Sequence, residues 1–274
     1  MWLAALVACT VPAVDETAAE TDIPVDLEWA PPAVRDRSYV RVMNHIWDRY
    51  GPDSGRGLDV AIPPENPLAL VEAFPTGGNT GYADLLLPGT YDLAATDVDG
   101  TVVQLVEGVT VAPGVVATIE LYGVAAAPVT LGHAVLLDDR AMPPAGDFRL
   151  RLFNGATGTA VLDVVDGTDP IASSLVYGHA SDAIVLAMGD FAFDVDVATP
   201  APQKALDGVP DARCSGSITA DDFIDGRSRV VHGTFAPGAG PLPGVGAILA
   251  YVDGDYPDDP AAQEPIVLPC VALP

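Results

Sequence analysis

The sequence predicts an all-β protein with two immunoglobulin-like or related antiparallel β-sandwich domains after a disordered N-terminal tether. Three observations predict this fold class. Hydrophobic residues make up 49% of the 274 residues, with 27 Gly and 26 Pro, a composition typical of short strands joined by tight turns. Apolar residues alternate with a period of two in many short stretches, whereas no long helical stripe is present. Two segments also repeat the same order of strands and turns.

The first nine residues have the features of a targeting signal and not of a folded element. Leu6-Val7-Ala8-Cys9 resembles the bacterial lipobox, in which small residues precede a cysteine that becomes acylated. The resemblance implies lipidation of Cys9, where each buried methylene adds about 0.8 kcal/mol to membrane binding. The apolar stretch is short and lacks a basic start, which suggests a start codon further upstream. We therefore predict that 1–9 is a lipoprotein signal segment.

Residues 10–37 are predicted to be an acidic, disordered tether. Carboxylates such as Asp15, Glu20 and Asp26 alternate with Ala, Thr and Pro, and this composition buries too little apolar surface to fold alone. Such a spacer holds the following domains away from a bilayer. The expected location is extracytoplasmic, lipid-anchored to the bacterial envelope, with the outer membrane favoured.

The charge of the chain excludes one class of function. The formal net charge is −26, and Lys204 is the only lysine. Nucleic-acid binding is excluded because its affinity depends on neutralising phosphates with basic residues. The acidity is typical of a solvated surface; an affinity for divalent cations or cationic partners is the alternative.

Two cysteines remain if Cys9 carries lipid. An even remainder in an exported chain favours a disulfide between Cys214 and Cys270, worth about 4 kcal/mol on the chain-entropy model. Two unrelated buried thiols are the alternative. A metal pair is disfavoured because neither cysteine has a CxxC partner or a nearby His.

The internal repeat is seen in three matched motifs. An alternating stretch ending in Asn comes first, a Leu-Asp-Val motif second, and a strand, a Gly bend and an aromatic strand third. Gly is expected at the bend because hairpin turns often need a positive φ. The matched motifs lie at 39–44 and 148–154, at 58–60 and 162–164, and at 85–93 and 185–193.

The repeat sets the predicted domain boundaries. The first β-sandwich domain is expected at 38–123, followed by a linker at 123–130 that is rich in Ala and Pro. The second is expected at 131–274, with an insertion around 199–225 where Pro and Asp cluster.

Three motifs resemble a bacterial extracytoplasmic family, the domain of unknown function numbered 4397. Leu87-Pro88-Gly89-Thr90-Tyr91 is similar to the family's hairpin with one residue missing. Arg229-Val230-Val231-His232 is similar to its opening strand, and Tyr251-Val252-Asp253-Gly254 to a later turn. The resemblance implies a β-sandwich on the cell envelope and supplies no catalytic residues.

The resemblance covers 39–123 and, more weakly, 148–270. It leaves open whether 229–254 is a third repeat or the closing strands of the second domain.

No motif in the sequence indicates catalysis. The four histidines have no metal-ligand spacing and are expected at strand ends or in loops; they are His45, His133, His179 and His232. The sequence therefore favours a non-enzyme, a structural or ligand-binding module with an envelope protein or a glycan as partner. An extracellular hydrolase using Asp/Glu pairs is the alternative, because sequence does not show which carboxylates meet.

An acidic cluster offers a weak calcium site, and no other cofactor is predicted. Calcium takes six to eight oxygen ligands, and a shorter cluster at 97–100 is the other candidate. An exposed turn is the favoured interpretation, since Asp and Gly are also turn residues; a calcium-dependent adhesion module is the alternative. The residues of the main cluster are Asp253, Asp255, Asp258 and Asp259.

Four aromatic residues are candidates for stacking on sugars. Capping of the sandwich ends is the favoured interpretation of their role. The four are Trp47, Tyr50, Tyr251 and Tyr256.

Overall fold

The structure, a computed structural model, is all-β, which confirms the predicted fold class. Within the residues it describes, the only helical segment is one 3-10 turn at Ala220–Asp222. No helix in this described part is long and apolar enough to cross a membrane. The described residues are 38–47, 58–61, 69–74, 83–86, 89–97, 102–111, 116–124, 130–138, 143–200, 204–223, 229–237, 245–252 and 265–274.

Eight strands form what we call the first repeat. They pair into two four-stranded sheets, with strand orders β4-β1-β7-β8 and β3-β2-β5-β6. In chain order the strands are β1 (Ser38–Trp47), β2 (Leu58–Ala61), β3 (Ala69–Phe74), β4 (Ala83–Leu86), β5 (Gly89–Asp97), β6 (Val102–Val111), β7 (Val116–Val124) and β8 (Thr130–Leu137).

Nine strands form the second repeat. They make one sheet in the order β11-β10-β13-β14-β17-β16-β15-β9-β12. In chain order they are β9 (Asp147–Phe153), β10 (Val161–Asp166), β11 (Asp169–Val176), β12 (Ile184–Ala187), β13 (Gly189–Ala198), β14 (Ala212–Ile218), β15 (Val230–Pro237), β16 (Val245–Val252) and β17 (Ile266–Ala272).

The strand order of the first repeat recurs in the second, shifted by eight strands. The half-sheet β12-β9-β15-β16 corresponds to β4-β1-β7-β8, and β11-β10-β13-β14 corresponds to β3-β2-β5-β6. The three sequence motifs that predicted a repeat lie on equivalent strands. The additional strand β17 pairs with both β14 and β16 and so joins the two halves of the second repeat.

The core of the second repeat lies between these two halves. Side chains alternate along a strand, so Phe148, Leu150 and Leu152 of β9 point inward while their neighbours do not. They pack in one cluster with Phe193 of β13 and Leu268 of β17. The predicted period-two pattern is therefore what builds this core.

The expectation of purely antiparallel sheets is wrong for two strand pairs. β1 pairs with β7 in parallel, and β9 pairs with β15 in parallel. Hairpins make consecutive strands antiparallel, but these partners are separated along the chain by several other strands, so no hairpin sets their direction.

Strand pairing also differs from the expected division of the chain. β8, which we expected in the second domain after a linker, is hydrogen-bonded to β7 along its whole length. The segment predicted as an insertion at 199–225 contains β14, whose Ala212, Cys214 and Ile218 point into the core. Residues 230–237 and 245–252 are β15 and β16, so they belong to the sheet of the second repeat and not to a third repeat.

Candidate functional site

The two repeats meet through the outer faces of equivalent sheets. On β1 the even-numbered residues lie on one face and the odd-numbered residues on the other, and residues 41–47 are all buried. From the odd-numbered face, Met43 and Trp47 pack against Leu249 and Tyr251 of β16. β1 is therefore covered twice, once within its own repeat and once by the second repeat.

A buried charged cluster lies in this contact between repeats. The Glu120 carboxylate on β7 contacts two imidazoles through its two oxygens. Its Oε2 is 2.6 Å from Nδ1 of His45 on β1, and its Oε1 is 2.5 Å from Nε2 of His232 on β15. All three side chains are 2% exposed or less. We call His45, Glu120, His232 and Tyr251 the Glu120 cluster.

Tyr251 extends the cluster back into the second repeat. Its hydroxyl lies 3.1 Å from Nε2 of His45, and the two rings meet edge to face. The chain of contacts thus starts at His232 in the second repeat, passes through Glu120 and His45 in the first, and returns to the second.

The electrostatics of the cluster favour a buried negative charge on Glu120. Burial works to raise the pKa of Glu120, but the charges and hydrogen bonds of His45 and His232 lower it to about 2. Burial, together with the Glu120 charge, raises the pKa of Tyr251 well above its ordinary value. At neutral pH an ionised carboxylate therefore sits beside a neutral phenol, and an isolated buried charge would be very costly without the imidazoles.

A second polar connection runs beside the first. The Arg41 guanidinium donates to Thr118 Oγ1 at 2.7 Å, and that hydroxyl donates to Asp138 at 2.9 Å. Asp138 in turn lies 3.4 Å from Nη1 of Arg151 on β9 of the second repeat. Cation and carboxylate thus alternate across the contact between repeats.

Aromatic groups fill the edges of the contact. The Trp47 indole donates to the Gly155 carbonyl at 3.2 Å. The Tyr122 ring packs edge to face against Phe153 and Tyr177, with centroids 5.5 and 5.3 Å away. These contacts add aromatic packing to the polar connections between the repeats.

The structure places the predicted site residues as follows. Cys214 and Cys270 are bonded to each other from directly opposite positions on β14 and β17. The lipidation residue and the acidic cluster lie outside the described residues, as do Tyr50 and Tyr256. Among the residues that the structure describes, no group of three or more His, Cys, Asp or Glu is arranged to hold a metal. The predicted residues outside the description are Cys9, Asp253, Asp255, Asp258 and Asp259.

At the contact between repeats the structure argues against one alternative considered from the sequence, sugar stacking by Trp47 and Tyr251, and one expectation, the placement of His45 and His232, is wrong. Trp47 and Tyr251 are each 1% exposed, so neither can stack on a sugar. His45 and His232 lie inside strands and are buried, not at strand ends or in loops. The signal that sequence reasoning missed is the presence of charged residues within otherwise apolar strands that are covered on both faces.

In the second repeat, the carboxylates of Asp196 and Asp211 both lie close to Lys204, the only lysine of the chain. Lys204 pairs with Asp211 and lies 3.7 Å from Asp196. Asp196 also accepts hydrogen bonds from the Asp207 and Gly208 amides, and Asp211 accepts one from Val197. These contacts fix the connection between β13 and β14, and they give the pair a local structural role.

The fold is an all-β sandwich in which two repeated sets of strands contact each other through the buried Glu120 cluster. No protein-family model matches the chain, and no curated protein matches it either. Among solved structures it is similar to the product complex of a multi-modular glycogen-degrading pneumococcal virulence factor, SpuA, at 12% identity with a TM-score of 0.22. The match covers 74% of this chain and 21% of that chain. This likeness is too low to carry an argument.

Proposed function

We propose that the protein is a structural or ligand-binding module of the bacterial cell envelope, lipid-anchored through Cys9 and not an enzyme. The observation that carries the structural part is the Glu120 cluster. Its charged side chains are buried between the repeats, where no substrate reaches them, and there they fix one repeat against the other. A module of this kind presents its surface loops to a partner as a single body.

One further feature supports a place outside the cytoplasm. The Cys214–Cys270 bond joins the neighbouring strands β17 and β14, and disulfides persist in oxidising compartments. The net charge of −26 suits a solvated surface rather than a partner rich in phosphate.

The remaining parts of the proposal rest on the sequence. They are the lipobox-like Leu6-Val7-Ala8-Cys9, the tether at 10–37, the outer membrane as the location, and an envelope protein or glycan as the partner. The resemblance to the family of unknown function numbered 4397 points the same way, and the division of the chain into two domains stays a prediction. The hydrolase and calcium-adhesion alternatives gain no observation from the described residues.

Metabolic labelling with an alkyne fatty acid tests the anchor. The gene is expressed with its own upstream region in a bacterial host, and the labelled protein is followed by membrane fractionation. We expect the wild type to carry label and to sediment with membranes. Cys9→Ala should lose both properties, whereas Cys270→Ala, the matched control, should keep the label. An unlabelled wild-type protein in the cytosol would contradict the proposal.

A further inference from the structure

The second repeat has a strand at a position that is open in the first. β17 lies between β14 and β16, which correspond to β6 and β8 of the first repeat. β6 approaches β8 as β14 approaches β16, but among the described strands none lies between β6 and β8. The outer edge of β8 is therefore without a strand partner in the part of the chain that is described.

The exposure of β8 matches a missing strand. The buried Asn44 and Asn154, together with the strand registers, make Val135 the equivalent of Ala250 and Leu137 the equivalent of Val252. Ala250, which pairs with Ile266 of β17, is 1% exposed, whereas Val135 is 41% and Leu137 is 65% exposed. Apolar positions next to β17 in one repeat thus have equivalents in the other that are open to solvent.

An open cleft of about 480 Å³ borders residues 135–137 of β8 and Ala180–Ala183 of the second repeat. Arg151, which also pairs with Asp138, and Asp182 supply its charged groups. The cleft therefore has an apolar side on β8 and a cation, Arg151, on the side of the second repeat.

A segment of this chain has the pattern that the position requires. β17 points alternate residues inward and carries Pro269 on its exposed side, and Leu268 lies directly against Gly216. Residues 23–29 likewise alternate, with Pro24 between two apolar positions and Asp26 and Glu28 on the polar side. The apolar positions of this segment are Ile23, Val25, Leu27 and Trp29.

We propose that residues 23–29 add a strand to the edge of β8, with the apolar positions over Val135 and Leu137 and the acidic side towards Arg151. The chain can reach this edge. Nine residues from Trp29 to Ser38 span about 30 Å when extended, and three strand spacings from β1 to the new strand span about 14 Å. Ser38 and Leu137 lie at the same end of the sheet, so the connection favours a strand parallel to β8, unlike β17 on β16. If Cys9 is lipidated, the docked strand leaves 10–22 as the spacer to the membrane.

Amide hydrogen exchange on the full chain tests this docking. We expect the amides of 23–29 and the outward amides of β8 to be protected. Leu27→Asp should speed their exchange about tenfold or more, since it places a charge on the apolar side. The matched control Glu28→Gln changes the polar side and should leave the protection in place. Unstructured exchange rates at 23–29, with no effect of Leu27→Asp on β8, would overturn the proposal.

A cross-link provides a second measurement and identifies the donor of the strand. Leu27→Cys combined with Val135→Cys should form a disulfide within one chain, mapped by peptide mass spectrometry, whereas Val14→Cys with Val135→Cys should not. Equal cross-linking of both pairs would overturn the docking. Cross-links between chains, with protection that rises with protein concentration, would instead assign the position to a second copy and overturn the intramolecular form.

Discussion

Glu120 is the residue on which the contact between repeats depends most. Glu120→Gln keeps the size of the side chain but removes its negative charge, so His45 and His232 lose their contacts with a carboxylate. Disrupting a buried charged contact costs about 3–5 kcal/mol, and we expect a loss of this size in the free energy of unfolding by urea.

The matched control for this substitution lies on the surface. Asp194 pairs with Arg213, whose side chain is largely exposed, and exposed pairs contribute about 0–1 kcal/mol. Asp194→Asn should therefore change the unfolding free energy little. Equal losses for the two variants would contradict a special role for the buried cluster.

The pH dependence of stability follows from the same carboxylate. The imidazoles hold the folded-state pKa of Glu120 at about 2, against an ordinary 4.5. A group whose pKa is lowered by folding stabilises the fold above its unfolded pKa and loses this contribution as the pH falls through the folded pKa. The stability gap between the wild type and Glu120→Gln should therefore shrink from pH 4.5 towards pH 2. A difference in unfolding free energy that stays constant in urea titrations over this range would contradict a stabilising role of the Glu120 charge.

Gly178 tests how tightly the aromatic edge of the contact is packed. Its φ is +77°, and an added Cβ would overlap the Tyr122 ring. Gly167 has a φ of +60° with nothing near an added Cβ, so Gly167→Ala costs only the left-handed backbone, about 1–2 kcal/mol. Gly178→Ala should cost this amount plus about 1–3 kcal/mol of overpacking, measured by chemical unfolding. Equal losses of unfolding free energy for the two variants would show that the Tyr122 ring moves aside at no cost and that this edge is not tightly packed.

At the residue scale, the sequence predicted those features that depend on residue type and number alone. The pairing of Cys214 with Cys270 follows from the two cysteines that remain when Cys9 is assigned to lipidation. The Glu120 cluster was not predictable in the same way, because His45 and Glu120 are 75 residues apart and His45 and Tyr251 are 206 apart. Only the packing of one repeat on the other brings these side chains together.

At the scale of elements, the disulfide fixes β17 against β14. The bonded cysteines are separated by 56 residues, and closing a loop of this size in the unfolded chain is worth about 4 kcal/mol on the chain-entropy model. Reduction, or the double variant Cys214→Ser and Cys270→Ser, should lower the unfolding free energy by about this amount. A urea midpoint that is the same with and without reductant would contradict this contribution.

Period-two patterns predicted most strands but not all of their pairings. Strands such as β1, β2 and β9 carry clear alternation and were expected where they lie. β8 follows an Ala- and Pro-rich stretch and β14 follows a stretch rich in Pro and Asp, so composition hid both strands. The parallel pairing of β1 with β7 depends on the route of the chain between two sheets, which local alternation does not encode.

At the scale of the whole molecule, the two repeats form one connected structure. The Glu120 cluster, the Arg41–Thr118–Asp138–Arg151 connection and the buried Trp47 all cross the same contact. The sequence predicted two sandwich units, because each repeat carries its own pattern. It did not predict that the equivalent sheets meet face to face, since the surface of one repeat does not identify its partner.

Differential scanning calorimetry of the oxidised protein tests most directly whether the buried charges join the repeats into one body. A single cooperative unit has equal calorimetric and van't Hoff enthalpies. We expect one transition with equal enthalpies for the wild type, and a broadened or divided transition for Glu120→Gln. Two separate transitions in the wild type, unchanged by Glu120→Gln, would contradict it.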